Sequence, residues 1–67
     1  MADASIRPVG SVTDGDTVII RVGVDHGHVT VWTGIDGVRL DAEQREDFQR
    51  LFMAAEREAE QWAASHG

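Results

Sequence analysis

Apolar and polar residues alternate through residues 16–25 and 28–35, and this period-two pattern predicts two β-strands. Three turn signals punctuate the first forty residues: Asp14-Gly15, His26-Gly27 and Asp36-Gly37. Such dipeptides suit two-residue hairpin loops, where the backbone must adopt φ > 0. A two-residue loop at His26-Gly27 pairs Asp25 with His28, Val24 with Val29 and Val22 with Val31. One at Asp36-Gly37 pairs Ile35 with Val38 and Thr33 with Leu40, which adds a short last strand over residues 38–40. Side chains alternate faces along a strand. One face therefore collects Val18, Ile20, Val22, Val24, Val29, Val31, Ile35, Val38 and Leu40. A three-residue middle loop would pair Val22 with Thr30 and mix the faces, so hydrophobic sorting selects the two-residue loop. A loop at Asp14-Gly15 adds a strand at about residues 9–13, with Val12 opposite Thr17 and Val9 opposite Ile20. Pro8 fits only at its start or on a sheet edge.

The period changes after Leu40. Phe48, Leu51, Phe52, Ala55, Ala59 and Trp62 recur at three- and four-residue steps and predict one amphipathic helix over residues 42–64. Asp41 is the N-cap candidate, and Gln44 stands three residues on, as in a capping box. Glu43 lies in the first turn, where the helix dipole favours an acid. Glu46 and Arg50 form a supporting i,i+4 pair, whereas Glu56 and Glu60 repel. Met53 falls off the stripe, either as an isolated exposed residue or as a contact to another subunit. The expected fold is α+β: a three- or four-stranded antiparallel β-meander, residues 9–40, with one C-terminal helix, residues 41–64, packed on one face. Phe52 is expected at the centre of its core, and residues 1–5 as a flexible tail.

A chain of 67 residues makes one domain and buries only about 60% of its unfolded surface. It has no cysteine, so disulfides and thiolate metal sites are excluded, and a partner subunit is the simplest added support. No apolar run approaches the roughly 18 residues of a membrane span, and no signal-peptide pattern is present, so the expectation is a soluble, cytoplasmic protein. The net charge of -6 is spread unevenly, with seven acids against three Arg after residue 40. That balance is wrong for a phosphate-binding surface, and nucleic acid is not the expected partner.

The opposite sheet face carries the candidate chemistry. The same register places Ile19, Arg21, His28, Thr30, Trp32 and Arg39 there, with Arg21 opposite Trp32 and Arg39 diagonal to it. A guanidinium beside an indole makes a cation–π contact of roughly 0.5–1 kcal/mol when exposed. Trp and Arg also dominate binding hot spots. The pair either covers the sheet, forms a subunit interface, or grips an acidic partner or phosphate. The helix carboxylates Glu56, Glu58 and Glu60 form a second candidate contact surface, able to meet the Arg residues of another copy. Asp25-His26-Gly27-His28 contains metal-ligand residue types, but two His around a turn glycine point in uncontrolled directions. Asp14-Gly15-Asp16 lacks the later ligand positions of a calcium loop. Neither is read as a metal site, and no cofactor is expected. No cysteine nucleophile or phosphate-cradling glycine loop is present, so the chain is read as non-enzymatic.

The stretch from Val29 to Leu40, VTVWTGIDGVRL, followed by DAEQREDF to Phe48, resembles small uncharacterised proteins of actinobacteria and their phages. In those, a hairpin ending in a Val-Arg-Leu-type strand feeds a helix beginning Asp or Ser, x, Glu, Gln. The resemblance implies a phage or accessory protein that acts by binding. The functional expectation is a small protein-interaction module, homodimeric, modulating another protein. The alternative is a small-ligand protein that holds a nucleotide between subunits, with Trp32 on the base and Arg21 or Arg39 on phosphate.

Overall fold

The computed structural model describes residues 6–34 and 37–66. Three strands, β1 (Arg7–Asp14), β2 (Thr17–Asp25) and β3 (His28–Thr33), precede one helix, α1 (Ala42–His66). The strands form an antiparallel sheet in the order β1-β2-β3, and α1 packs on one face, mainly over β1 and β2. This is the α+β meander-plus-helix that the two periodicities predict, with three strands. The expected tail over residues 1–5 and the Asp36-Gly37 turn with its Ile35–Val38 pair involve residues outside those described.

The middle hairpin has the register that hydrophobic sorting selects. Val24 pairs with Val29, Val22 with Val31, Arg21 with Trp32 and Asp25 with His28. Both loop residues lie in the left-handed region, His26 at φ 50° and Gly27 at φ 86°, as a type I′ turn requires.

The first hairpin departs from expectation. Its loop is Gly15-Asp16 rather than Asp14-Gly15, and Asp14 pairs with Thr17. Gly15, at φ 64°, takes the left-handed position, and a glycine there is what a type II′ turn demands. The register then shifts twice, between Val12 and Thr13 and between Pro8 and Gly10, leaving Ile19 and Val9 as the extra residues. Each one-residue irregularity exchanges the two faces. The first swings Val12 opposite Ile20 and under the helix; the second returns Pro8 to the open face and Arg7 to the helix side. The predicted Val12–Thr17 and Val9–Ile20 pairs are thereby replaced, and the strand runs over eight residues.

No fourth strand forms among the described residues: β3 ends at Thr33, and Val38, Arg39 and Leu40 are irregular. The helix start explains this. Gln44 Nε2 donates to the Thr13 carbonyl oxygen at 3.1 Å, tying α1 to the end of β1. The chain must therefore cross from the β3 edge to the β1 edge, about two strand spacings of roughly 4.8 Å each, before α1 begins. A segment doing so cannot also run alongside β3. Val38 and Leu40 still pack against the core from this crossing.

The capping box is complete. The Gln44 N–H donates to Asp41 Oδ1 at 2.8 Å, and the Asp41 N–H donates to Gln44 Oε1 at 3.0 Å. The helix continues two residues beyond the expected end, to His66, whose Nδ1 lies 2.9 Å from the Trp62 carbonyl oxygen. Arg50 pairs with Asp47 at 3.2 Å rather than with Glu46.

The core is Val12, Ile20, Val22 and Val24 of the sheet against Ala55 and Ala59 of the helix. Ala55 is 0% exposed. Phe52 is not the centre of the core: it is half-buried, lies outside this cluster, and has its ring 6.0 Å from that of Phe48. Two alanines on the inner line of α1 let the helix backbone come close to the valine surface, and the bulkier Phe48 and Leu51 pack at the margin, Leu51 over Gly10. Because α1 favours β1 and β2, Val31 remains 47% exposed although it shares the helix-side face with Val22.

Candidate functional site

The face of the sheet turned away from α1 has no second layer among the described residues. Alternation on β2 and β3 sends Arg21 and Gly23, Thr30 and Trp32, to this face. The cross-strand pair meets as expected, with the Arg21 guanidinium carbon 4.8 Å from the centre of the Trp32 ring. The indole lies along its own strand towards Gly34, where an added Cβ would fall 2.9 Å from Trp32 Cη2. A side chain at position 34 would push the ring away from the sheet. Trp32 is 48% exposed, so about half of its surface is open to solvent.

Beside this pair runs a shallow groove of about 320 Å³. Ile6, Pro8 and Ser11 form one wall, Arg21, Thr30 and Trp32 the other. Gly23 makes its floor: an added Cβ there would lie 2.9 Å from the Arg7 carbonyl oxygen and 3.2 Å from Ile6 Cγ2. Ile6 and Pro8 were not singled out in the sequence, because their place here depends on the two irregularities of β1. Among the described residues no carboxylate pairs with Arg21. The groove thus offers apolar walls and one solvent-exposed cation, Arg21, beside them.

The remaining sequence-predicted residues are elsewhere. Ile19 is the extra residue of an irregularity and packs against the core. His28 is exposed at the hairpin end, its Nδ1 3.3 Å from the Asp25 carbonyl oxygen. Arg39 is exposed in the irregular crossing and does not line the groove. The acidic helix set divides. Glu58 turns towards the sheet and meets Arg7 Nε at 3.7 Å, whereas Glu56 and Glu60 are exposed on another side of α1.

A larger hollow of about 480 Å³ lies where the end of α1 meets the middle hairpin. Its rings form a ladder: His66 stacks on Trp62 at 4.0 Å and 7°, and His26 meets the same indole at 5.4 Å. The Trp62/His66 half is readable from i,i+4 spacing; the His26 contact is tertiary. Arg7 Nε meets Glu58 here at 3.7 Å, and His26 Nδ1 lies 3.4 Å from Asp25 Oδ1. It serves as a clasp between helix and hairpin. No group of three or more metal-ligand side chains exists among the described residues, and no helix among them is long and apolar enough to cross a membrane.

Compared with known proteins, the chain matches no family model, and no curated protein or solved structure is significantly similar to it.

Proposed function

We propose that this chain is a small, non-enzymatic, cytoplasmic protein-interaction module that works as a homodimer and modulates another protein bound on its open sheet face. The observation that carries this reading is the groove of about 320 Å³ beside Trp32, with Arg21 held over the indole and lacking a carboxylate partner among the described residues. The chemistry it suits is an extended segment with an apolar side chain for Ile6, Pro8 and Trp32 and a carboxylate for Arg21. The resemblance of residues 29–48 to small actinobacterial and phage proteins supports an accessory role of this kind.

A second reading is sequestration of a nucleotide. It is favoured by the half-exposed indole of Trp32, an aromatic surface beside a guanidinium without a carboxylate partner among the described residues. One set of variants separates the two. Immobilised wild type should retain a protein partner from a lysate of the source cell. Trp32→Ala and Arg21→Glu, checked by circular dichroism for an intact fold, should lose it, while calorimetry with nucleoside mono-, di- and triphosphates gives no heat. Nucleotide binding abolished by Arg21→Glu would establish the ligand reading instead. Retention unchanged in both variants would remove this face as the contact site.

A further inference from the structure

The two edges of the sheet are built differently. The β1 edge carries Pro8 and the extra residue Val9, and both devices blunt strand pairing. The β3 edge has neither. It pairs with β2 without a break, and its sequence, HVTVWT, is rich in β-branched residues. Two of the exposed large apolar residues, Val31 and Trp32, are neighbours on this strand and stand on opposite faces. No acidic or Arg side chain is present between His28 and Thr33, so two such strands can approach without opposed charges despite a net charge of -6.

We propose, on the reading of this protein as a homodimeric module, that a second copy of the chain adds its β3 antiparallel to β3 and makes one continuous six-stranded sheet. The hydrogen-bond alternation of an antiparallel ladder decides the register. In a two-residue hairpin the residues flanking the loop exchange hydrogen bonds, so His28, Thr30 and Trp32 point their backbone groups inward to β2. Val29 and Val31 therefore point theirs outward. The new ladder must join odd-numbered residues to odd-numbered residues. Among the twofold registers of that parity, the one centred on Thr30 keeps the contact away from Thr33, where β3 ends: Val29 lies opposite Val31 of the second copy and Val31 opposite Val29, with Thr30 facing Thr30 across the axis. Four backbone hydrogen bonds close the pair. The same parity puts both helices on one side of the joined sheet. Both Arg21–Trp32 pairs then lie together on the other, which doubles the open surface for a foreign partner. This is β-augmentation with a twofold, self-complementary interface.

The test uses the full chain. Sedimentation equilibrium from 1 to 200 µM should show a monomer–dimer equilibrium, and amide exchange at Val29 and Val31 should slow as concentration rises. Thr30→Glu and Thr30→Lys each set two like charges face to face at the axis, and each should weaken dimerisation at least tenfold while remaining folded by circular dichroism. Mixing the two variants should restore a dimer. If either variant fails to fold, the wild-type exchange measurement decides. A wild-type monomer at 200 µM overturns the proposal. A dimer indifferent to both substitutions, or one without concentration-dependent protection at Val29 and Val31, also overturns it. A wild-type monomer also removes the homodimer from the functional reading, whereas binding of a foreign protein on the open face stands or falls separately, on partner retention by Trp32→Ala and Arg21→Glu.

Discussion

Ala55 is the residue on which helix and sheet meet. With no exposed surface, it leaves no room for a longer side chain. Ala55→Leu is expected to destabilise the protein by about 1–3 kcal/mol through overpacking. Val22→Ala should lose about 2 kcal/mol from two buried methyl groups and the space they leave. Phe52→Ala should fall below the roughly 3–5 kcal/mol of a fully buried aromatic, because Phe52 is half-buried and outside the core cluster. Urea denaturation of the three variants checks the order, and a Phe52→Ala loss above that range would move the core to the Phe face. Gly34 supports a second expectation. Gly34→Ala puts a methyl group into the space of Trp32 Cη2. In a Trp62→Phe background, Trp32 emission should shift to the red with little change in melting temperature. An unshifted spectrum would mean the indole is not held over position 34.

At the level of elements, the boundaries come from short-range chemistry. Asp41 and Gln44 satisfy one another's backbone N–H groups, and Gln44 also reaches Thr13. Asp41→Ala should cost about 1 kcal/mol, the ordinary value of an N-cap. Asp41→Ala and Gln44→Ala should each remove one of the two bonds and be close to additive in a double-mutant cycle, because each bond joins one residue's side chain to the other's backbone N–H, which alanine keeps. No loss in either single variant would mean the reciprocal box is not formed in solution. The middle turn is equally specific. His26 sits at φ 50°, a region that penalises β-branched residues. His26→Val should lose about 1–2 kcal/mol, and His26→Asn should retain the turn while giving up the ring contact with Trp62. Thermal melts of both variants separate turn strain from ring packing; equal losses would place the whole effect in the clasp.

Across the whole molecule, the helix decides which strands are secure. It lies mainly over β1 and β2, and the residues buried on the sheet side belong to those two strands alone. In dilute solution, the β2 amides directed to β1 should exchange only on global unfolding. Those of β3 should open locally at lower free energy. Native-state hydrogen exchange measures this directly, and equal protection across β2 and β3 in the monomer would contradict it. The asymmetry bears on function. The strand least covered by the helix carries Trp32, the edge without blunting devices and one wall of the groove.

The features that the sequence alone determined are those governed by local rules. A period of two specified strands, and the shift to three- and four-residue spacing specified the helix. The His26-Gly27 loop set the Val22–Val31 and Arg21–Trp32 pairs because one slip would have exchanged every side chain between faces. The capping box was legible because both partners lie within four residues. Tertiary structure decided the rest. Gly15 rather than Asp14 took the first loop position, and irregularities at Ile19 and Val9 carried Val12 into the core and Ile6 and Pro8 to the groove. Val38, Arg39 and Leu40 form no fourth strand, and Arg39 does not line the groove beside Trp32. Alternation cannot foresee these outcomes. A bulge or a crossing gains nothing locally, and it is selected only by the apolar surface that two distant segments bury together.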